Sequence, residues 1–195
     1  MPVSDTPDSV ADVLFRLLVH KGSGAYFSEP VTQLEHALQA AACAQEHTDK
    51  PHVILAALLH DIGHLLEGGV SNDWDSLGQP NHDKLGSAYL ESLGFGTEIT
   101  RLVENHVKAK RYLVTVDPAY RLSLSEASKQ TFVLQGGEMW PDEIRSFEMD
   151  PDFDHIIFIR LCDEKAKDPG KQVADLEYYR PMIEHYLQTV KSNAL

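Results

Sequence analysis

A histidine and an aspartate stand side by side as His60-Asp61, directly after an aliphatic run from Val53 to Leu59. Burying an imidazole and a carboxylate next to such a run costs free energy unless both side chains have partners. A metal ion is a suitable partner, because neutral imidazole and carboxylate are good ligands for iron, manganese or zinc. The pair alone is equally compatible with a helix end that caps the helix and meets solvent.

Four further residues of the same ligand types lie near the middle or the end of different predicted helices. These residues are His36, His82, His106 and Asp163. Helical bundles build di-metal sites by directing such side chains inward from separate helices. Together with His60-Asp61, the set predicts a metal site inside a helical bundle.

The segments around these residues carry the apolar spacing of α-helices. We predict helices over 10–18, 31–47, 51–59, 82–93, 97–107, 125–135, 141–148, 153–165 and 173–191. Thr32 and Glu35 have the spacing of a capping box, and Pro181 should kink or divide the last helix. Because no segment alternates like a β-strand, the predicted fold is all-α, a single domain over residues 1–195 with the 51–59 helix buried at its centre.

The charge of the chain excludes several classes of partner. Its 195 residues include 17 Lys and Arg against 30 Asp and Glu, a net charge of −13. This balance argues against nucleic acid or an anionic membrane surface as the main partner, and no apolar stretch approaches the roughly 18 residues that span a bilayer. With two cysteines outside any CxxC motif and no signal-peptide pattern, we expect a cytoplasmic protein.

The order of the ligand-type residues resembles the HD-domain superfamily, whose minimal pattern is H…HD…D. The residues that match this pattern are His36, His60-Asp61 and Asp163. The resemblance implies that Asp61 bridges to a second metal, for which His82 and His106 are the ligands. Within the superfamily, the sequence is similar to the mixed-valence di-iron oxygenases of the PhnZ and TmpB type. The matching segments are 26–29, 33–36, 59–64, 106–113, 125–131, 135–137, and Arg160 with Asp163.

This resemblance implies an HD-domain helical bundle that holds two iron ions, Fe2+ and Fe3+, and uses O2. The implied substrate is an organophosphonate, a 1-hydroxy-2-(amino or trimethylammonio)ethylphosphonate, which would lose its C–P bond to give glycine or glycine betaine plus phosphate. A metal-dependent HD phosphohydrolase acting on a nucleotide or small phosphate ester is the alternative, and a non-catalytic HD-fold binding protein is a third hypothesis. The oxygenase-like order of Tyr26, Lys110, Ser128 and Thr131 argues against the phosphohydrolase.

A phosphonate dianion needs several hydrogen-bond donors in a dry pocket. Lys110 supplies a point charge and Arg160 a planar fork. Ser128 and Thr131 are three positions apart on a predicted helix and supply hydroxyls from one side. The resemblance assigns these four residues to phosphonate binding. From the residues alone, Lys110 also suits a solvated helix end, Arg160 a pair with Asp163, and the hydroxyls an ordinary surface.

The resemblance gives roles to three more residues. Tyr26 would occupy a site on one iron until substrate displaces it, while Glu29 would hold this lid and sense the ammonium group of the substrate. His64 would hydrogen-bond near the substrate and move a proton. The alternatives are that Tyr26 anchors the 22–24 turn and that His64 is an ordinary core histidine.

Half of the ten histidines do not join the pattern and are predicted to lie at the surface. They are His20, His47, His52, His155 and His185. Cys43 and Cys162 are predicted to be small buried hydrophobic residues. Trp74, in a polar loop over 68–80, either covers the mouth of the site, contacts a cationic group of the substrate, or packs the loop down.

Overall fold

The computed structural model describes residues 8–24, 26, 29–66 and 81–193. Within these ranges it contains ten α-helices and no β-strand, which confirms the predicted all-α fold. Trp74 lies outside the described residues. The α-helices are α1 (Val10–Lys21), α2 (Gln33–Gln45), α3 (Pro51–Leu59), α4 (His82–Ser92), α5 (Thr97–Val116), α6 (Pro118–Ser123), α7 (Glu126–Leu134), α8 (Pro141–Glu148), α9 (Phe153–Lys165) and α10 (Leu176–Asn193), and a short 3-10 helix covers Ile62–Leu65.

Helix α3 forms the centre of the main core, as its sequence predicts. Every side chain from Val53 to Leu59 is buried. Helices α2, α5, α9 and α10 pack around it, so that each of its faces meets apolar side chains. Pro51 opens the helix at a position where the missing proline N–H costs no hydrogen bond.

The start of α2 has the predicted capping box. The backbone N–H of Thr32 donates to Glu35 Oε2 at 2.7 Å, and the backbone N–H of Glu35 donates to Thr32 Oγ1 at 3.1 Å. These two bonds satisfy N–H groups that the first turn of a helix leaves without partners. They fix the beginning of α2 one turn before the region that contributes His36.

One predicted helix boundary is wrong, and one short helix was not predicted. Helix α5 does not end near Val107 but continues to Val116, because apolar positions continue on its inner face up to the buried Val114. Helix α6 was not predicted. Asp117 starts it by accepting hydrogen bonds from the backbone N–H groups of Ala119 and Tyr120, and Pro118 occupies its first turn.

A small second cluster of apolar side chains joins the end of α5 to α6 and α7. Its buried members are Val114, Tyr120, Leu124 and Phe132. The sequence pattern did not reveal this cluster, because its residues come from three short or late segments with little periodicity. It forms the base on which the α7 side chains described below are placed.

Of the two effects predicted for Pro181, a kink or a division of the last helix, the division is wrong, since α10 runs without interruption from Leu176 to Asn193. Pro181 is exposed and lies in the second turn of the helix. Its ring therefore meets solvent, and the missing N–H affects only one carbonyl of the first turn.

None of the helices that the structure describes has the length and apolar composition needed to cross a membrane.

Candidate metal centre and substrate cavity

The six ligand-type residues predicted from the sequence converge inside the bundle. They form two groups, within each of which the potential ligand atoms lie within 4.8 Å of one another. The groups are His36, His60 and Asp163, and Asp61, His82 and His106. Helices α2, α4, α5 and α9 each contribute, and His60-Asp61 follows the end of α3.

Asp61 lies between the two groups and faces both with different oxygen atoms. Its Oδ2 is 3.6 Å from His36 Nε2 and 3.4 Å from His60 Nε2. Its Oδ1 is 3.3 Å from His82 Nε2 and 3.4 Å from His106 Nε2. One carboxylate therefore connects two pairs of imidazoles.

Close packing of the chain after α3 brings the second group to Asp61. A side chain at Gly63 would place its Cβ 1.9 Å from the carbonyl oxygen of His82. Only glycine permits this approach of the 3-10 helix to the first turn of α4. The residue types around Gly63 give no signal of this positioning role, although Gly63 lies between Asp61 and His64.

Backbone carbonyls fix the orientation of three of the histidines. The Nδ1 atoms of His36, His60 and His106 lie 2.8, 2.8 and 2.7 Å from the carbonyl oxygens of Ala166, Ala57 and Val103. An Nδ1 that donates to a carbonyl leaves Nε2 as the acceptor of a neutral imidazole. This arrangement is the one by which proteins orient metal-binding histidines.

The atoms directed into the cluster fit metal ions. His36 Nε2 lies 3.2 Å from His60 Nε2, and His82 Nε2 lies 3.0 Å from His106 Nε2. Facing lone pairs repel unless a proton or a cation lies with them. Among the described residues, the buried Asp163 Oδ1 has no hydrogen-bond donor. Imidazole and carboxylate donors without thiolates favour iron, manganese or zinc over softer metals.

Neighbouring charges keep the two aspartates ionised. Burial alone would raise the pKa of Asp61. The charge of His60 and the hydrogen bonds from the surrounding imidazoles have the larger effect and hold this pKa well below its ordinary range. Asp163 behaves in the same way, with Arg160 as its main partner. Burial lowers the pKa of His60, yet Asp61 and Asp163 outweigh burial and raise it to about 9. The buried carboxylates therefore attract a cation, either a proton or a metal.

A cavity of about 40 Å³ opens above the cluster. All seven residues predicted to bind substrate line this cavity: Tyr26, Glu29, His64, Lys110, Ser128, Thr131 and Arg160. Val107, Ala127 and Gln135 also line it, and the sequence analysis did not assign them. The cavity has room for ions or water but is far smaller than the roughly 300 Å³ of ordinary ligand pockets.

Tyr26 fills part of this space. Its hydroxyl donates to Asp61 Oδ2 at 2.7 Å, and its ring stacks on His36 with centroids 4.0 Å apart. Burial and the negative charge of Asp61 raise the pKa of Tyr26 well above its ordinary value, so the hydroxyl keeps its proton. A larger occupant of the cavity therefore has to displace the Tyr26 ring.

Lys110 lies inside the cavity wall and not at a solvated helix end. Its side chain is buried, and its Nζ donates to Thr131 Oγ1 at 2.9 Å. Burial and the nearby Arg160 lower the pKa of Lys110 to about 7. A buried ammonium of this kind is stabilised by an anion that enters the cavity.

Arg160 is extensively paired within the chain. Its guanidinium donates to Asp163 and Glu164, and its Nε donates to the Tyr120 hydroxyl at 2.7 Å. Burial lowers the pKa of Arg160, but Asp163 raises it more, to well above its ordinary value. The alternative pairing with Asp163 is thus present, while a direct contact between Arg160 and a phosphonate stays a prediction.

Glu29 and Ser128 meet at a residue that the sequence analysis missed. Lys167 Nζ donates to Ser128 Oγ at 3.3 Å and lies 3.5 Å from Glu29 Oε1. Lys167 follows the end of α9 and belongs to no motif, so the sequence offered no signal for it. It joins the loop that carries Tyr26 and Glu29 to helix α7.

His64 lies next to the second ligand group. Helix α3 ends at Leu59, and His64 lies on the following 3-10 helix. Its ring stacks on His82 with centroids 3.7 Å apart, and its Nε2 is 3.9 Å from Asp61 Oδ1. Burial, then the neighbouring His82, lowers the pKa of His64 well below its ordinary value. The imidazole is therefore neutral beside the second ligand group.

The five histidines predicted to be incidental do not line the cavity or belong to either ligand group. His20, His47 and His185 are exposed, whereas His52 and His155 are half-buried and pack edge-on against each other with centroids 5.6 Å apart. Cys43 and Cys162 are both free and buried, as predicted.

Comparison with known proteins identifies the family. The HD domain family matches residues 34–135. An uncharacterized protein of Acanthamoeba polyphaga mimivirus is 41% identical over 185 residues, covering 93% of this chain and 84% of the relative.

Two further relatives carry functional names. The [1-hydroxy-2-(trimethylamino)ethyl]phosphonate dioxygenase (glycine-betaine-forming) of Leisingera caerulea is 35% identical over 176 residues, 90% of this chain and 89% of the relative. The hydroxymethylphosphonate dioxygenase of Gimesia maris is 37% identical over 195 residues, 96% of this chain and 93% of the relative. The chain therefore belongs to the HD-domain family, in the group that includes these phosphonate dioxygenases, as its motifs predicted.

Proposed function

We propose that this protein is a mixed-valence di-iron dioxygenase that cleaves the C–P bond of a 1-hydroxy-2-(amino or trimethylammonio)ethylphosphonate. The products are glycine or glycine betaine, together with phosphate. One oxygen atom of O2 enters the carboxylate and the other enters the phosphate. The four electrons that reduce O2 come from the substrate carbon and the C–P bond, so the turnover consumes no external reductant.

One observation carries the proposal. A single carboxylate, Asp61, presents one oxygen to the His36 and His60 pair and the other to the His82 and His106 pair. This is the arrangement expected for a carboxylate bridge between two metal ions. The names of the two dioxygenase relatives support phosphonates as the substrate class.

In this proposal, His36, His60, Asp61 and Asp163 hold one iron, and Asp61, His82 and His106 hold the other. Iron in these positions supplies the redox chemistry that O2 activation requires. The chain's backbone carbonyls keep three of the imidazoles oriented toward the ions.

The remaining cavity residues bind and orient the substrate. Lys110 Nζ and the hydroxyls of Ser128 and Thr131 donate to the phosphonate oxygens. Tyr26 leaves the cavity when substrate enters, and until then its ring excludes other occupants. His64 is neutral, so it accepts the proton of the substrate C1 hydroxyl at a ring nitrogen. We also infer that the chain forms one HD domain.

The test is to load the purified protein with iron and to measure phosphate release from both substrates, with and without O2. We expect a mixed-valence EPR signal that substrate perturbs, and phosphate only when O2 is present. Phosphate release without O2, or a preference for zinc or magnesium, would overturn the proposal and favour an HD phosphohydrolase.

Substitution of a ligand links the activity to the proposed centre. His82→Ala should lose the second iron and the EPR signal, because His82 belongs to the group around Asp61 Oδ1. His155→Ala removes an imidazole that neither lines the cavity nor belongs to a ligand group, and it should keep both the iron and the EPR signal. Full activity in His82→Ala would contradict the assignment of the second ion.

A further inference from the structure

Lys167 occupies a position between three elements that meet at the edge of the cavity. Its Nζ is 2.9 Å from Glu164 Oε1 on α9, 3.3 Å from Ser128 Oγ on α7 and 3.5 Å from Glu29 Oε1 on the Tyr26 loop. The side chains of Lys167 and Glu29 are 12% and 11% exposed, so water screens this ion pair only partly. Lys167 is not among the cavity-lining residues, but Ser128 and Glu29 are.

The contacts of Lys167 are unequal. Glu164 is the nearer carboxylate and is itself held by Arg160. Glu29, by contrast, is farther away and lies on a loop segment outside any helix. Lys167 is therefore anchored to α9, and Glu29 is the partner that can exchange.

Among the residues that the structure describes, Glu29 is also the cavity-lining carboxylate that lies outside both ligand groups. A carboxylate in this position attracts a cationic substituent of a phosphonate, whereas donors such as Lys110 suit the phosphonate end. The two functionally named relatives differ in this respect, because one is named for a trimethylamino-bearing phosphonate and the other for hydroxymethylphosphonate, which has no cation.

We propose that Lys167 is a positioning residue that sets the preference for cationic over uncharged substituents, because its ammonium competes with the substrate cation for Glu29. This inference rests on the proposed function of the cavity. A substrate ammonium takes Glu29 while Lys167 stays with Glu164. A substrate without a cation leaves the Glu29–Lys167 pair intact, so the charge of Glu29 remains balanced.

The test compares the binding of 1-hydroxy-2-aminoethylphosphonate and hydroxymethylphosphonate to the iron-loaded protein by calorimetry without O2. Lys167→Met should raise the ratio of the two affinities, in favour of the cationic ligand, by roughly fivefold, the effect of one partly screened ion pair. Any effect on the phosphonate end cancels in this ratio, because both ligands share it. Lys167→Arg should keep the ratio of the unaltered protein.

Two controls distinguish competition from a structural role. Lys165→Met removes the same charge from an exposed position two residues away and should leave the ratio unchanged. In a Glu29→Gln background, Lys167→Met should lose its effect on the ratio. If Lys167→Met weakens both ligands equally, or leaves the ratio within twofold of its original value, the competition is wrong.

The outcome is separable from that of the proposed function. Binding without O2 does not require turnover, so the affinity ratio tests Lys167 even if phosphate is never released. Absence of phosphate release by the unaltered protein that binds both ligands contradicts the proposed function alone. If neither phosphonate binds, the proposed function and the role of Lys167 are both contradicted.

Discussion

The two ligand groups form the floor of the cavity, and Lys110, Ser128 and Thr131 form its wall. Different kinds of contact hold these two regions in place. On the floor, His36, His60 and His106 bond to backbone carbonyls through Nδ1. On the wall, Lys110 and Thr131 are joined by a hydrogen bond between side chains, at 2.9 Å. The floor lies against the main core around α3, whereas α7 rests on the four-residue cluster that includes Phe132.

This difference matches what each region has to do. A backbone carbonyl of the packed main chain is already fixed, so an imidazole bonded to it keeps one orientation whether or not its other nitrogen has a ligand. Side-chain donors that pair with one another can exchange partners when an anion arrives. The floor is built to keep its geometry, and the wall is built to change its contacts.

The largest expected effect is a change on the floor. Asp61→Asn retains the shape of the side chain but removes the charge that lies between the two imidazole pairs. We expect the protein to lose most of its iron, measured by elemental mass spectrometry, and activity to fall by more than about a hundredfold. Asp150→Asn, which breaks an ion pair with Arg101 outside the cavity, should keep its iron. An Asp61→Asn protein with full iron content would remove the bridging role.

On the wall, Lys110→Met should weaken substrate binding without changing the iron content. It removes a buried ammonium, so the protein should fold and retain its iron. Loss of a charged hydrogen bond to the substrate, of about 1.5–3 kcal/mol, should raise KM by roughly tenfold to a hundredfold. Steady-state kinetics beside iron analysis checks both parts. A large loss of iron would mean that wall and floor are not independent.

The pKa of Lys110 predicts a dependence on pH that the floor does not share. Because this pKa is lowered to about 7, the ammonium that attracts an anion is present below pH 7 and is lost as the pH rises. KM should be constant below pH 7 and rise roughly tenfold per pH unit above it. In Lys110→Arg the rise should disappear, since a guanidinium stays charged. An unchanged profile in that variant would assign the titration to another group.

The smallest expected effect is a change in the support of the wall. Phe132→Leu reduces the packing of the small cluster beneath α7, where Phe132 is buried with Tyr120 and Leu124. We expect KM to rise only about two- to fivefold with unchanged iron content. The neighbouring side chains can close around the smaller leucine, so α7 should shift only slightly. Leu58→Ala at the centre of the main core should instead lower the free energy of unfolding by about 2–5 kcal/mol. Equal effects of the two changes on iron content would weaken the comparison.

The sequence alone determined most of the floor. The aliphatic run before His60-Asp61 predicted a buried helix, and the periodic segments around it predicted which helices surround it. All six ligand-type residues were identified from their types and order, because metal ligation restricts a position to very few side chains. The same restriction does not apply to a residue that supports a neighbour, which many side chains can do.

Tertiary structure alone decided the wall and its supports. Nothing in the residues around Lys167 indicates that its ammonium meets Glu29 and Ser128, which are 138 and 39 positions away in the chain. The closeness of Gly63 to His82, the pairing of Arg160 with Tyr120 and the small cluster under α7 are likewise long-range contacts. The physical reason is that helical periodicity reports which face of a segment is buried, whereas the partner of an ion pair is chosen by how the helices pack.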